Sequence, residues 1–127
     1  MTVGLVVVSH SERAAAGIRD VAAEMAADTR IEAVGGDGQG GIGTVPDTIA
    51  DAVAAADGGD GVVVLVDLGS AVMNADIAIE LTDTDAVIAD APVLEGAVNA
   101  AVAATDPNAT IDTVREQAEA ARTIEKL

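Results

Sequence analysis

The sequence contains no cysteine and no phenylalanine, tyrosine or tryptophan among its 127 residues. Without cysteine, the protein can form no disulfide, no thiolate nucleophile and no cysteine-ligated metal site. Without aromatic rings, its core must be built from alanine, valine, isoleucine, leucine and methionine. Because 50% of the residues are nonetheless hydrophobic, the composition predicts a folded core. The length is typical of one domain, and we interpret residues 1–127 as a single domain.

Basic residues are scarce as well. Six Lys and Arg residues stand against 22 Asp and Glu residues, which gives a formal net charge of −16. Direct nucleic-acid binding is therefore not expected, because phosphate contacts need clustered Lys and Arg. Strong acidity often accompanies disorder, but the hydrophobic content and the clear periodicity indicate a folded domain. We interpret the charge as an acidic surface, as in proteins of a high-salt cytoplasm.

Long apolar runs are also missing. No stretch approaches the ~18 uninterrupted apolar residues of a membrane-spanning helix, so we expect no membrane association. No basic segment precedes the first apolar run, as it would in a signal peptide. These two features favour a cytoplasmic location.

Apolar segments of two kinds alternate along the chain. Short runs rich in β-branched residues predict strands, and longer segments with apolar residues three and four apart predict helices. This alternation predicts an α/β fold, an open, mostly parallel sheet of about four strands with helices on both faces. The first and third strands are apolar on both faces, which is typical of central strands. The predicted strands are 3–10, 30–34, 61–66 and 86–89, and the helices follow each strand, the last at 111–127.

The ends of the predicted helices carry candidate capping residues. Ser9 and Glu12 have the spacing of a capping box for the first helix. Thr44 is a candidate hydroxyl cap for the second helix, which has a proline in its first turn. Met73 in the third helix is interpreted as a core residue.

The two predicted central strands end in His10, the only histidine, and in Asp67. If these strands are neighbours, both side chains face the crevice where ligands bind in such sheets. A carboxylate bonded to one imidazole nitrogen leaves the other as base or nucleophile. Gly69 and Ser70 open a helix whose N–H groups can bind phosphate, and Thr44 adds a hydroxyl. The pattern favours phosphoryl transfer on histidine.

Other interpretations of these residues remain open. Asp67 and Ser70 are also common helix caps, and a lone histidine after a strand is often structural. The glycine-rich segment 35–44 twice matches the dinucleotide-binding pattern, but it follows the second strand rather than the first. The alternatives to a phosphocarrier are a flavodoxin-like module that binds a small molecule or nucleotide, and a receiver-like domain. A receiver needs an acidic pair where this chain has Ser9 and His10.

Four segments together resemble a known family: VVVSHS at 6–11, GGIGT at 40–44, LVDLGSAVMNA at 65–75 and APVLEGA at 91–97. The chain resembles the mannose-family enzyme IIA domains of the sugar phosphotransferase system. Within them it is most similar to the phosphotransferase subunits of dihydroxyacetone kinases. The similarity extends over essentially the whole chain in order.

The resemblance implies that His10 accepts a phosphoryl group from a histidine-containing phosphocarrier protein. The group would then pass to ADP on the nucleotide-binding kinase subunit, and the ATP formed would phosphorylate dihydroxyacetone on a third subunit. Asp67 matches the aspartate that orients the histidine, and Thr44, Gly69 and Ser70 match positions that line the phosphate site. The family implies a homodimer, with neither metal nor nucleotide cofactor bound to this subunit. The exposed apolar stripe for that dimer is expected on the fourth helix, around residues 94–98, or on the final helix.

The net charge predicts that stability depends on salt. Repulsion between surface carboxylates acts over ~30 Å at 0.01 M salt but only over ~3 Å at 1 M. The thermal unfolding midpoint should therefore rise as KCl increases from millimolar to molar concentrations. Calorimetry at constant pH measures this directly, and a midpoint that does not move would contradict the interpretation of the charge.

Overall fold

A computed structural model describes all residues, 1–127, and contains one four-stranded sheet. Every neighbouring pair of strands is parallel, and the strand order is β2-β1-β3-β4. The predicted α/β fold is thus confirmed, and the first and third strands are adjacent at the centre. The strands are β1 Thr2–Ser9, β2 Ile31–Gly35, β3 Gly59–Val66 and β4 Ala86–Ile88.

Five α-helices cover the two faces of the sheet. The second and third helices pack on one face, and the first, fourth and fifth pack on the other. None of these helices is long and apolar enough to cross a membrane. The helices are α1 Glu12–Met25, α2 Pro46–Ala56, α3 Ser70–Glu80, α4 Val93–Ala103 and α5 Ile111–Ala120, and a 3₁₀ turn follows at Ala121–Thr123.

The continuous apolar run of β1 is explained by burial on both faces. Leu5 and Val7 pack into the cluster beneath α1, α4 and α5, and Val6 and Val8 pack into the cluster beneath α2 and α3. All four are fully buried. Strands buried on both faces need apolar residues at successive positions, not at alternate ones.

The helices meet this sheet mainly through alanine. The small side chains let the helices lie close to the strands, and one glycine shows how close. A Cβ atom at Gly4 of β1 would lie 1.9 Å from the carbonyl oxygen of Ala56, so no other residue fits there. The buried alanines of the helices are Ala15, Ala22, Ala50, Ala56, Ala71, Ala75, Ala78, Ala97, Ala100, Ala101 and Ala118.

Both predicted caps are wrong. Ser11, not Ser9, caps α1, and its hydroxyl accepts the Ala14 N–H at 3.2 Å. Ser9 is still part of β1, and its hydroxyl donates to the carboxylate of Asp67. Val45 occupies the cap position of α2, and its apolar side chain makes no capping bond. The hydroxyl of Thr44 bonds Asn74 and does not cap the helix.

Two further expectations about helices are corrected. Met73 is 73% exposed, because it lies on the side of α3 opposite the buried Ala71, Ala75 and Ala78. The final helix ends at Ala120 and does not continue to residue 127. The chain turns after it, and Lys126 reaches Glu95 of α4 at 2.7 Å.

Candidate active site

The site lies where β1 and β3 end side by side. The two strands pair in register up to Val8 and Val66. The Asp67 N–H then donates to the Val8 carbonyl at 3.1 Å. This pairing brings the next residues of the two strands, which include His10 and Asp67, to one point at the sheet edge, as the sequence predicted.

The carboxylate of Asp67 connects the two strand ends. Its Oδ2 accepts the Ser9 hydroxyl at 2.8 Å and the His10 backbone N–H at 3.0 Å. Its Oδ1 lies 2.9 Å from His10 Nδ1. One side chain therefore fixes both the backbone and the ring of His10.

Burial and hydrogen bonding act in opposite directions on this carboxylate. Partial burial by itself raises the pKa of Asp67, but the bonds from the His10 N–H, the His10 ring and the Ser9 hydroxyl lower it. The hydrogen bonds together prevail, so the pKa of Asp67 lies below its ordinary value. Asp67 is held as a carboxylate that accepts the Nδ1 proton of the ring.

The second ring nitrogen faces α3. Ser70 Oγ lies 2.9 Å from His10 Nε2. With Nδ1 protonated towards Asp67, Nε2 carries the free lone pair and the serine hydroxyl donates to it. The side chains of His10 and Asp67 are each 21% exposed, so the ring is fixed but remains open to a reactant.

Thr44 belongs to the same site through a residue that sequence reasoning missed. Asn74 Nδ2 donates to the Thr44 hydroxyl oxygen at 2.7 Å and to its carbonyl at 3.2 Å. Asn74 lies one helical turn after Ser70, so both face the sheet edge. That i, i+4 spacing from Ser70 could have placed Asn74 on the same helix face, but it does not reveal the bond to Thr44.

The glycine-rich loop closes over the other side of His10. The Gly43 N–H donates to the His10 carbonyl at 2.9 Å. Asp37 shapes the loop itself, because its carboxylate accepts the N–H groups of Gln39 and Gly41 at 2.8 and 2.9 Å. The loop is thus ordered by its own turn, and it holds the backbone of His10 from the side opposite Asp67.

Gly69 precedes α3 beside the histidine. Its N–H makes no hydrogen bond within the protein, and a Cβ atom here would meet nothing within 4 Å. The position is open, with a free donor for an anion. The structure contains no group of three or more His, Asp or Glu side chains placed to hold a metal ion.

A family model described as the fructose IIA component of the phosphotransferase system matches residues 4–115. The chain belongs to this IIA family. Its similarity to the phosphotransferase subunit of the PTS-dependent dihydroxyacetone kinase of Lactococcus lactis is 38% identity over 119 residues. That match covers 94% of this chain and 95% of the relative.

One further relative and one solved structure also match most or all of this IIA-family chain. The phosphoryl donor subunit of PEP-dependent dihydroxyacetone kinase 2 of Listeria innocua is 39% identical over 105 residues, 79% of this chain and 84% of that protein. The crystal structure of a protein of unknown function matches with a TM-score of 0.85 and 26% identity, and the match covers 100% of this chain and 99% of the other. The fold of that protein therefore matches the whole length of this chain.

The lowered pKa of Asp67 predicts how acid affects stability. A carboxyl group whose folded pKa is below its unfolded value of ~3.9 stabilises the fold above that pH, and this contribution is lost as pH falls through the folded pKa. Between pH 5 and pH 2, Asp67→Asn should therefore lose less unfolding free energy than the wild type. Urea titrations in molar KCl at each pH measure the difference. Asp51→Asn, an exposed carboxylate on α2, is the charge-matched control, and parallel curves for wild type and Asp67→Asn would contradict the prediction.

Proposed function

We propose that this protein is the phosphoryl-carrier subunit of a phosphoenolpyruvate-dependent dihydroxyacetone kinase. It accepts a phosphoryl group on His10 from a histidine-containing phosphocarrier protein. It then passes the group to ADP bound on the nucleotide-binding subunit of the kinase. The observation that carries the proposal is the imidazole held between Asp67 at Nδ1 and Ser70 at Nε2. Relatives of this chain are named as the phosphotransferase subunit or the phosphoryl donor subunit of dihydroxyacetone kinases.

The chemistry follows from the two ring nitrogens. In the first step the Nε2 lone pair attacks phosphorus, and the bond between phosphorus and the donor histidine breaks. The ring retains its Nδ1 proton, and Asp67 balances the positive charge that develops on the imidazole. In the second step a terminal oxygen of ADP attacks, the Nε2–P bond breaks and the electron pair returns to Nε2.

Ser70 and Thr44 supply donors for the phosphoryl oxygens. The Ser70 hydroxyl must turn away from Nε2 to free the lone pair, and it can then donate to the phosphoryl group. The Thr44 oxygen already accepts from Asn74, so its own hydrogen is free to donate. The unbonded Gly69 N–H is a third donor, at a helix start that favours anions. These groups can offset the charge of the transferred phosphoryl group.

The distribution of acidic residues supports this placement. The first turns of α1, α2, α4 and α5 each contain an acidic residue, but that of α3 contains none. Carboxylates normally stabilise helix starts through the helix dipole. A carboxylate beside Ser70 would repel the phosphoryl group, so its absence at this one helix suits a phosphate site.

We assign residues 1–127 to one phosphocarrier domain, active in the cytoplasm, where ADP and the partner proteins are present. No resident metal or nucleotide takes part in the proposed transfer. The excess of carboxylates suits a cytoplasm of high salt.

The proposal includes a homodimer. The sequence expectation placed its apolar stripe near residues 94–98 or on the final helix. Val98 packs against the core, Leu94 is 38% exposed, and α5 exposes no large hydrophobic side chain. A larger stripe lies on α3, where Met73, Ile77 and Leu81 are 73%, 45% and 58% exposed. Its distal part begins about 10 Å from Ser70 along the helix axis. A dimer through Ile77 and Leu81 would therefore leave His10 open to partners.

His10→Ala should abolish phosphoryl uptake completely, because no second histidine exists. Incubation with phosphoenolpyruvate and the general phosphotransferase proteins, followed by intact-mass analysis, detects the adduct. On the wild type it should be lost in acid and survive in alkali, as expected for a phosphoramidate. Asp67→Asn should fold but react far more slowly, since loss of the comparable aspartate in a serine protease costs ~10⁴ in rate.

Two results would overturn the assignment of His10. The first is a His10→Ala protein that still gains a phosphoryl group from the phosphocarrier. The second is an acid-stable adduct on the wild type, which would place the phosphate on a hydroxyl such as that of Ser9, Ser11 or Ser70.

Light scattering in molar KCl at tens of micromolar should give twice the chain mass of 12.5 kDa. Ile77→Asp should give the monomer, because it places a charge in the proposed contact. Val102→Asp is the matched control on α4, where Val102 is 47% exposed, and it should remain dimeric. A monomeric wild type, or a dimeric Ile77→Asp protein, contradicts the proposed dimer contact.

A further inference from the structure

Arg13 differs from every other basic side chain of this protein. Arg13 makes no side-chain hydrogen bond, and no carboxylate lies within 4 Å of its guanidinium, although the chain has 22 acidic residues. The other five cations are all engaged. They form the ion pairs Arg19–Asp20, Arg115–Asp112, Arg122–Asp90 and Lys126–Glu95, and Arg30 donates to the carbonyls of Ala55 and Asp57.

The position of Arg13 is unfavourable for stability. It is the second residue of α1 and is exposed. A positive charge in the first turn opposes the helix dipole, which favours acidic residues there. No contact within the chain offsets this unfavourable position, which points to a partner outside the chain.

Arg13 lies three residues after His10 and lines a cleft next to the candidate site. Together with Ser11, Glu12 and five residues of the glycine-rich loop, it lines a cleft of about 480 Å³; the loop residues are Gly36, Gly38, Gly40, Gly41 and Ile42. Ser11 directly follows His10, and the next loop residue, Gly43, bonds the His10 carbonyl. The cleft is large enough for a phosphate-bearing group. Arg13 is the one cation among its lining residues, and Glu12 is the one carboxylate.

The charge balance of the transfer explains why a cation is needed here. Phosphoryl transfer brings a doubly charged phosphoryl group to a chain of net charge −16. The group lies close to the carboxylate of Asp67. A guanidinium binds such oxygens with two parallel hydrogen bonds. It remains protonated throughout, so it gives no proton and takes none.

We propose that Arg13 is a phosphate-binding residue of the transfer site, whose guanidinium contacts anionic phosphate oxygens during transfer. This inference rests on the proposed function of His10. The oxygens can belong to the phosphoryl group on His10 or to the nucleotide carried by the acceptor subunit. The phosphoryl group and the nucleotide present the same kind of oxygen to Arg13. Rates measured separately for the charging and the discharge of His10 distinguish the two.

The test compares Arg13→Gln with Arg19→Gln. Both change one arginine of α1 and the same unit of charge, but the only partner of Arg19 is the neighbouring Asp20. Charging of His10 by the phosphocarrier protein is followed by intact mass. Discharge of the purified phosphoprotein to the ADP-loaded kinase subunit is followed by ATP formation. Arg13→Gln should be at least tenfold slower than Arg19→Gln in one half-reaction or both, and Arg13→Lys should recover part of the rate.

The pattern of loss identifies the source of the phosphate. Slower charging and discharge, with a higher phosphoryl pKa in a ³¹P NMR titration, assign Arg13 to the phosphoryl group on His10. Slower discharge alone, with a raised KM for the ADP-loaded subunit, assigns it to the nucleotide. Equal rates for Arg13→Gln and Arg19→Gln in both half-reactions overturn the inference while phosphorylation of His10 stands. A wild type that takes up no phosphoryl group overturns the inference and the proposed function together.

Discussion

The carboxylate of Asp67 is the constraint on which the site depends. It accepts hydrogen bonds from the Ser9 hydroxyl, the His10 N–H and the His10 ring, so it joins the ends of β1 and β3 and sets the direction of the imidazole. Replacing this residue would remove the bonds to the Ser9 hydroxyl, the His10 N–H and the His10 ring together. The strand end, the ring orientation and the ring tautomer would no longer be fixed. Structure and chemistry are therefore coupled at one side chain, and the lowered pKa of Asp67 results from that coupling.

Much of the fold was predictable because burial on both faces leaves a clear pattern. The apolar runs of β1 and β3 identified the centre of the sheet, and the residues after them identified His10 and Asp67. The less regular features were not predictable from patterns of this kind. Ser9 and Ser11 are both good caps by residue type, and only the end point of β1 decides between them. Met73 looked buried by hydrophobicity, but alanines fill the inner face of α3.

Asn74 shows the same limit within the site. An asparagine in a helix carries no chemical signal of its own, and its role appears only once Thr44 is beside it. Thr44 in turn was correctly placed near the site but for the wrong structural reason, because its hydroxyl bonds Asn74 and does not cap α2. These two residues are 30 positions apart in the sequence. A pattern of neighbouring residues does not predict a contact over that separation.

The alanine-lined packing of helices on the sheet determines how this protein can change. An alanine side chain loses no rotamer freedom on burial, so the core is ordered at a small entropic penalty. On the inner faces of the helices the same close packing leaves few large side chains to truncate and many alanines that a mutation can only enlarge. Mutations on these helix faces will therefore act mainly through overpacking, which shifts backbones, whereas truncations on β1 and β3 leave cavities. Since β1 positions His10, a larger side chain at Gly4 or Ala71 would displace the strand or helix that supports the site. The interior of this chain should therefore tolerate less variation than its charged surface.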